Sequence, residues 1–546
     1  MIAEALNNLS RTKTSPQWLA TGRNEAGELE FNQTQIGEEN LSYKQTNKGY
    51  RSVYFEAVAN WARTFGKHDL SAMFLFQQSQ KNYVGESANN SEKALPYRHQ
   101  GIAGRITYNY DNRYFVEGNF GYNGSENFSP NHRFGFFPSI AVGYVVSNEK
   151  FFAPIRDVVS MVKLKASYGL VGNDQIGGDR RFIYNETVIG GGKYYFGTTP
   201  SQYTSVRLGE FPNPNVGWEK AKKLNLGADL SFFNQLNISV DYFKENREGI
   251  FLQRKSIPMY VGLSTKPWVN IGKMRNSGID ASLEYHQPLG KDLHLTVRGN
   301  FTYARNRIMD QDEPDYAYTY MNHSGQMQWQ KFGLVAAGLF QDQEDIDSWA
   351  KQSFGEVKPG DIKYLDLNGD GIVDNYDTKP IGYSDIPEIV YGFGFSLQWK
   401  AFDLSAFFQG VAHVSFSTLT DQTQAFVGRN LKESSVFADL YGNTWTPENP
   451  GAKYPRMTTG AIDNNNQLST FWMANGRYLR LKNLELGYTL PKRIANKIAM
   501  QSLRVYLSGV NLFTFSPFKL WDPDLQTGAT NYPNNRIINL GLTIGF

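Results

Sequence analysis

The last nine residues, 538–546, read I-N-L-G-L-T-I-G-F and alternate strictly between apolar and small or polar side chains. Ile538, Leu540, Leu542, Ile544 and Phe546 share one parity, and Asn539, Gly541, Thr543 and Gly545 share the other. Successive side chains of a strand point to opposite faces, so this period places the whole apolar set on one face. A chain that ends inside such a strand leaves an edge to be paired, and closure into a barrel is the arrangement that removes edges. When the outward face is apolar and the inward face small and polar, the solvent that suits the outside is lipid.

The same alternation recurs upstream. Leu293, Leu295, Val297, Phe301 and Tyr303 face one way, while His294, Thr296, Arg298, Asn300 and Thr302 face the other. In a membrane barrel that polar face lines a wet lumen, which makes His294, Arg298 and Asn300 candidate lumen-facing residues. Tyr391, Phe393, Phe395, Leu397 and Trp399 form a comparable row, as do Leu236, Ile238, Val240 and Tyr242. Near the C-terminus the parity switches between Leu479/Leu481 and Leu484/Leu486/Tyr488, which predicts a bulge at Lys482–Asn483. Short turns at Gly66-Lys67-His68, Tyr110-Asp111-Asn112-Arg113 and Trp399-Lys400-Ala401 alternate with long polar stretches such as Gln77–Tyr97, Asp310–Met327, Gln341–Asp385 and Thr418–Leu468. Short turns at one rim and long loops at the other fit a transmembrane antiparallel β-barrel, with roughly 14 to 16 strands in this chain. Helical pattern is confined to Asn148–Val159 and Lys492–Met500.

Composition excludes the main competitors. A membrane helix needs about 18 or more consecutive apolar residues, and the best stretch, Gly333–Phe340, falls far short. Aromatics make up 14% of the chain, and their recurrence in short alternating segments suits a barrel better than a soluble sandwich. Cysteine is absent, which removes disulfides, Cys-based zinc sites and thiol catalysis. A net charge of +3 with no basic cluster gives no footprint for nucleic acid. The opening MIAEALNNLSRTKTSPQW lacks a charged segment followed by an apolar one, so no signal peptide is expected within it.

Several phrases, taken in order, carry a resemblance. They are GRITYNYDNRYFVEGNFGYNGSENF (Gly104–Phe128), RFGFFPSIAVGYVVSNE (Arg133–Glu149), NIGKMRNSGID (Asn270–Asp280), DLNGDGIVD (Asp366–Asp374), YLRLKNLELGYTLP (Tyr478–Pro491) and GVNLFTF (Gly509–Phe515). The chain resembles the C-terminal barrel of SusC/RagA-type TonB-dependent outer-membrane transporters of Bacteroidetes. The family barrel has about twenty-two strands. The resemblance therefore implies that residues 1–546 are one partial receptor barrel, without the plug domain and first strands. It implies a multi-pass protein of the cell outer membrane that imports an oligosaccharide or peptide with a SusD-like lipoprotein. TonB would act through the N-terminal part. Phe546 is the expected recognition end for outer-membrane assembly.

One segment carries a metal-type spacing. In Asp366–Asp377, oxygen-bearing side chains stand at positions 1, 3, 5, 9 and 12 with Gly at 6, the pattern of an EF-hand-type calcium loop. The candidate ligands are Asp366, Asn368, Asp370, Ile372 (through its carbonyl), Asp374 and Asp377, although the last is Asp where Glu is usual. The competing reading is a solvated Asp/Asn/Gly turn without metal. Apart from this calcium, no cofactor is expected. The seven histidines are scattered and no G-x-S-x-G elbow is present, so no catalytic residue is nominated. Gly190-Gly191-Gly192-Lys193 lacks P-loop spacing and reads as a turn. Trp329, Trp349, Trp445, Trp472 and Trp521 suit interfacial girdles or loop packing better than ligand stacking. A barrel-embedded hydrolase and a soluble β-rich surface adhesin are the alternative readings.

Overall fold

The computed structural model describes residues 2–88, 91–177, 180–198, 200–263, 265–420, 423–424, 437–458, 460–498, 500–528 and 531–546. Its framework is one antiparallel sheet of sixteen strands in which neighbours in sequence are neighbours in space. The strands are β1 (Ile2–Thr12), β2 (Ser42–Phe65), β3 (His68–Gly85), β4 (Tyr97–Tyr110), β5 (Tyr114–Ser125), β6 (Phe134–Val145), β7 (Val159–Asn173) and β8 (Glu219–Phe232). They continue as β9 (Leu236–Gln253), β10 (Trp268–Pro288), β11 (Leu293–Asp310), β12 (Ile389–Trp399), β13 (Phe402–Ala412), β14 (Tyr478–Thr489), β15 (Ser502–Phe515) and β16 (Ile537–Gly545). Among the described residues no pairing joins β1 to β16.

The register carries the parity argument around the sheet. Asn119 on β5 lies opposite Arg105 on β4 and Ser139 on β6. Gly227 on β8 lies between Lys165 on β7 and Asp241 on β9. Asp280 on β10 lies between Asp241 and Thr302 of β11. Asn300 then meets Gly392 on β12, Gln398 meets Asp403 on β13, and Asp403 meets Gly487 on β14. Paired residues share a face, so these side chains form one continuous polar wall. The opposite face carries Trp61, Phe74, Ile106, Ile140, Leu164, Leu226, Leu486, Leu507 and Leu540, all exposed. An apolar surface this extensive exceeds the few hundred Å² that a soluble monomer leaves bare, and hydrocarbon is its natural solvent.

Connections at one rim are short. Asp111 and Asn112 (φ +54° and +51°) and Phe233 and Asn234 (φ +53° and +54°) each supply the two positive-φ positions of a type I′ hairpin turn. This rim also carries an outward aromatic belt. Tyr114 and Tyr144 stack at 5.1 Å, and Phe402 contacts Tyr488 at 4.7 Å and Trp399 at 6.3 Å. Such belts mark the headgroup level of a membrane barrel.

The predicted bulge is present. Register slips between Leu481 and Asn483 against β15, and between Phe407 and Phe408 against β13, leaving Lys482 as the extra residue. Arg480 and Asn483 therefore both reach the polar wall despite opposite parity. The expected helices shrink to 3₁₀ turns at Val146–Asn148 and Lys150–Ile155, and to one helical turn at Lys492–Ala495 running into Asn496–Ile498. Residue 499 of the second segment lies outside the described residues.

Two expectations about the loops are corrected. Residues Gln77–Gly85 are not loop: they extend β3, paired with β2 throughout and with β4 as far as Lys81. Beyond the apolar belt both faces of a strand are polar, so the alternation that marks a strand disappears while the hydrogen-bond ladder continues. The long stretches at 311–388 and 413–477 are not merely polar loops either, although residues 421–422, 425–436 and 459 lie outside the described part. They hold a buried core of Leu334, Leu339, Ile362, Tyr364, Val373, Leu440, Trp445, Tyr454 and Trp472. Short strand pairs frame it, including Ala336–Leu339 with Ile362–Tyr364. We refer to this unit as the cap.

Candidate functional site

The polar wall is built from ion pairs that bridge adjacent strands. Arg105 contacts Glu117 at 2.6 Å, and Lys165 contacts Asp229 at 2.9 Å and Asp241 at 3.1 Å. Arg247 holds Glu219 and Glu245, both at 2.7 Å. Arg298 contacts Glu284 at 2.8 Å, where His286 Nε2 also approaches to 3.1 Å. Arg504 Nη2 meets Glu485 at 2.5 Å and Asp403. Each of these cations faces a carboxylate, so this part of the wall is strongly polar with its charges matched. Surface pairs of this kind contribute about 0–1 kcal/mol each to stability. Their main consequence is a hydrated face with its charges paired.

Of the three residues nominated from sequence, Arg298 takes part in this pairing. Asn300 sits in the same row against Gly392, where an added Cβ would come within 2.7 Å of Asn300 Oδ1. His294 occupies that row too, between Pro288 and Gln398. All three lie on the polar face.

The cap sits at the long-loop rim and is pinned by a buried carboxylate. Asp361 is fully buried. Its Oδ2 accepts from Arg456 Nη2 at 3.0 Å and from the Lys358 amide at 2.8 Å, while Oδ1 accepts from Asn465 Nδ2 at 2.9 Å. Asn465 Oδ1 in turn accepts from the Ile362 amide at 2.8 Å, and Asn464 Nδ2 donates to the Ile362 carbonyl at 2.8 Å. One loop is thus stitched to the other along both sides of a strand. Asp439 adds a surface contact, accepting from Lys453 and Tyr454 at 2.6 Å, and these two partners hold its carboxyl below its ordinary pKa. The cap is rooted at Glu388, which contacts Arg305 at 3.0 Å and His413 at 3.1 Å.

A second lock lies beside the bulge. Arg480 is 2% exposed. Its guanidinium binds Asp522, Asp524 at 3.2 Å and Thr514 Oγ1 at 3.0 Å, and Tyr478 Oη donates to Asp524 at 2.9 Å. Neither lock was nominated from sequence. Their partners are far apart along the chain and form no motif, although the acidic W-D-P-D run at 521–524 was a legible hint.

The Asp366–Asp377 segment forms one tight turn, with Gly369 and Gly371 at φ +78° and +84°. Its side chains, however, are aimed at its own backbone. Asp366 accepts from the amides of Gly369 (2.7 Å) and Gly371 (2.8 Å), and Asp370 from that of Ile372 (2.8 Å). Asn368 Oδ1 accepts from the Asp370 amide at 2.9 Å. Asp377, fully buried, accepts from Leu367 and Asp374 amides at 2.6 and 2.8 Å and closes a capping box with Asp374. Among the described residues no group of three or more His, Asp or Glu side chains is placed to hold a metal ion. The turn is therefore self-satisfied in its hydrogen bonding.

Other candidates resolve into structure. Gly190–Lys193 is a register shift inside an exposed hairpin, Val188–Phe196 with Ser201–Leu208. Trp445 and Trp472 are core of the cap, Trp349 donates to the Tyr364 carbonyl at 2.7 Å, and Trp521 packs on Phe518. Ser129 Oγ approaches His132 Nδ1 at 3.2 Å but donates to the Pro214 carbonyl at 2.8 Å, and no carboxylate orients that histidine among the described residues. Phe546 stands one residue beyond β16, largely exposed, on the parity of the apolar face.

Comparison with known proteins agrees with this geometry. The family model described as "TonB dependent receptor-like, beta-barrel" matches residues 5–512. TonB-dependent receptor P3 of Formosa agariphila is 28% identical over 575 residues, covering 98% of this chain and 55% of that protein. TonB-dependent receptor SusC of Bacteroides thetaiotaomicron is 27% identical over 470 residues, covering 81% of this chain and 43% of that protein. The chain thus spans about half the length of these relatives, which are named as receptors rather than enzymes. In fold, it superposes along its whole length on 60% of a chain in the structure of the RagAB peptide transporter, with a TM-score of 0.70 and 20% identity. The chain belongs to the TonB-dependent receptor-like β-barrel family and is an outer-membrane β-barrel.

Proposed function

We propose that this chain forms the barrel of a TonB-dependent importer that carries an oligomeric nutrient, glycan or peptide, across the outer membrane. The observation that carries the reading is the continuous, charge-matched polar wall running beneath a folded cap at the long-loop rim. The wall lines the lumen, with His294, Arg298 and Asn300 on it, and the cap faces outward to meet a SusD-like lipoprotein. TonB acts through the part of the protein that carries the plug. No bond of the cargo is made or broken. Deleting the gene should abolish uptake of one class of oligomer, and the protein should co-purify in mild detergent with a lipoprotein encoded beside it. Unchanged uptake of every oligomer tested, with no lipoprotein partner, would sink the proposal.

Calcium at Asp366–Asp377 is a secondary part of the proposal, supported by the ligand spacing and opposed by the inward aim of the carboxylates. Calorimetric titration of the purified protein with Ca2+ should give a signal that Asp366→Ala and Asp370→Ala remove. A flat titration leaves the turn metal-free, held by its own amides.

A further inference from the structure

Where β2, β3 and β4 reach the long-loop rim, the polar wall changes character, from ion pairs to rings and cations. Tyr50 lies opposite Tyr83, and Lys81 opposite Tyr97, all on the face that carries Arg105. Tyr50 and Tyr83 ring centroids are 6.3 Å apart, and Tyr83 and Tyr97 meet edge to face at 5.3 Å. Lys81 Nζ stands 4.1 and 4.7 Å from the Tyr50 and Tyr83 centroids, and the Arg181 guanidinium 3.7 Å from that of Tyr97. A cavity of about 540 Å³ opens beside this row, bordered by Tyr83, Tyr97, His99, Asp174, Arg180 and Arg181 among others. That volume is ample for a small ligand, whose pockets run from roughly 300 to 1,000 Å³.

Arg181, at this corner, is left incompletely matched by the described residues. It is 4% exposed. Its terminal nitrogens donate to the carbonyls of Glu92 (2.6 Å), Leu95 (2.8 Å) and Pro96 (2.8 Å), but no carboxylate pairs with it among the described residues. Its Nε–H is buried without a partner. Buried charges are normally paired, and dipoles alone compensate them incompletely. Neighbouring cations differ: Arg180 contacts Glu210 at 3.1 Å and His99 contacts Asp174 at 3.5 Å.

We propose that this corner binds an anionic sugar, a carboxylated or sulfated pyranoside unit within an oligosaccharide. The apolar faces of the ring stack on Tyr83 and Tyr97, and the acidic group supplies the carboxylate or sulfate that no described residue offers Arg181, with Lys81, which already feels the charge of Glu4, as a second cation. A peptide would instead seek a free strand edge. Here Tyr50 is paired with both β1 and β3 and Lys81 with both β2 and β4, which leaves only the short runs Asn82–Gly85 of β3 and Tyr97–Arg98 of β4 paired on one side. The inference rests on the importer reading and names the chemical class of the cargo.

The test is calorimetric titration of the detergent-purified protein with trigalacturonate, a sulfated carrageenan tetrasaccharide, maltotriose and triglutamate. One or both acidic sugars should bind, more weakly at high salt, with maltotriose at least tenfold weaker. Lys81→Gln and Tyr83→Leu, which leave the Arg181 carbonyl bonds in place, should each weaken that binding by roughly tenfold. Equal binding of maltotriose, tighter binding of triglutamate, or no binding of either acidic sugar overturns the inference. Uptake in a deletion strain separates the two levels. Lost uptake of a neutral oligomer, with no acidic-sugar binding, leaves the importer standing and removes only its anionic specificity. Unchanged uptake of all oligomers removes the importer reading itself.

Discussion

Replacing Asp361 by Ala should open the cap and leave the sixteen-stranded sheet standing. Asp361 is fully buried and holds Arg456, Asn465 and the Lys358 amide at once. Its removal strands the Arg456 guanidinium and frees the Asn465 amide that clamps Ile362. Breaking a buried ion pair by deleting one partner costs about 3–5 kcal/mol, a large share of what a unit with so small a core can hold. Limited proteolysis should therefore cut within 311–388, 437–458 and 460–477 in the variant but not in the native protein. The heat-dependent electrophoretic shift of a folded barrel should be kept in both. Asp361→Asn retains an acceptor for the Lys358 amide and should fall between the two.

The second large effect is expected at Arg480, where one guanidinium serves Asp522, Asp524 and Thr514. Arg480→Met preserves the stem but leaves Asp522 and Asp524 without their cation beside the wall. The loss is smaller than the roughly 3–5 kcal/mol of a fully buried pair, because Asp524 is partly exposed. The connection 516–536 should detach from β14 and β15, seen as faster amide exchange across 516–528. Arg480→Lys offers a point charge in place of a planar fork and should recover only part of the protection. If Arg480→Met exchanged no faster than the native protein, the lock would be an incidental contact.

Much of the framework was legible in the sequence, because a barrel strand announces itself by parity. The rows around Leu293–Tyr303 and Tyr391–Trp399, the short turns at Asp111–Asn112 and Lys400, and the slip at Lys482 all follow from residue-to-residue alternation. That signal fails where its cause fails. Above the apolar belt β3 continues through Gln77–Gly85 with both faces polar, so periodicity ends before the strand does. The cap was illegible for a different reason. Tyr364 donates to the Asn464 carbonyl across 100 residues, and Asp361 meets Arg456 across 95. A core assembled from two segments, each with a few scattered aromatics, has no local period to read. At Asp366–Asp377 the spacing of oxygen-bearing residues was visible, but the direction in which their carboxylates point was not. Hydrogen bonds from Gly369, Gly371 and Ile372 amides fix that direction. Arg181 follows the same rule: its carbonyl partners lie 85 to 89 residues upstream.

Around the sheet the polar face should line water and the opposite face should meet lipid, and the absence of cysteine allows this to be tested on a clean background. Single cysteines placed in turn at residues 294 to 303 of β11, in outer-membrane vesicles, can be challenged with a charged maleimide and with a lipid-soluble spin probe. Strict alternation is expected. Cysteines at His294, Thr296, Arg298, Asn300 and Thr302 should react with the maleimide, and those at Leu295, Val297, Phe301 and Tyr303 should instead broaden the signal of the lipid probe. Equal maleimide reaction at both sets, with no lipid contact at either, would contradict a membrane barrel and describe a sheet with water on both sides.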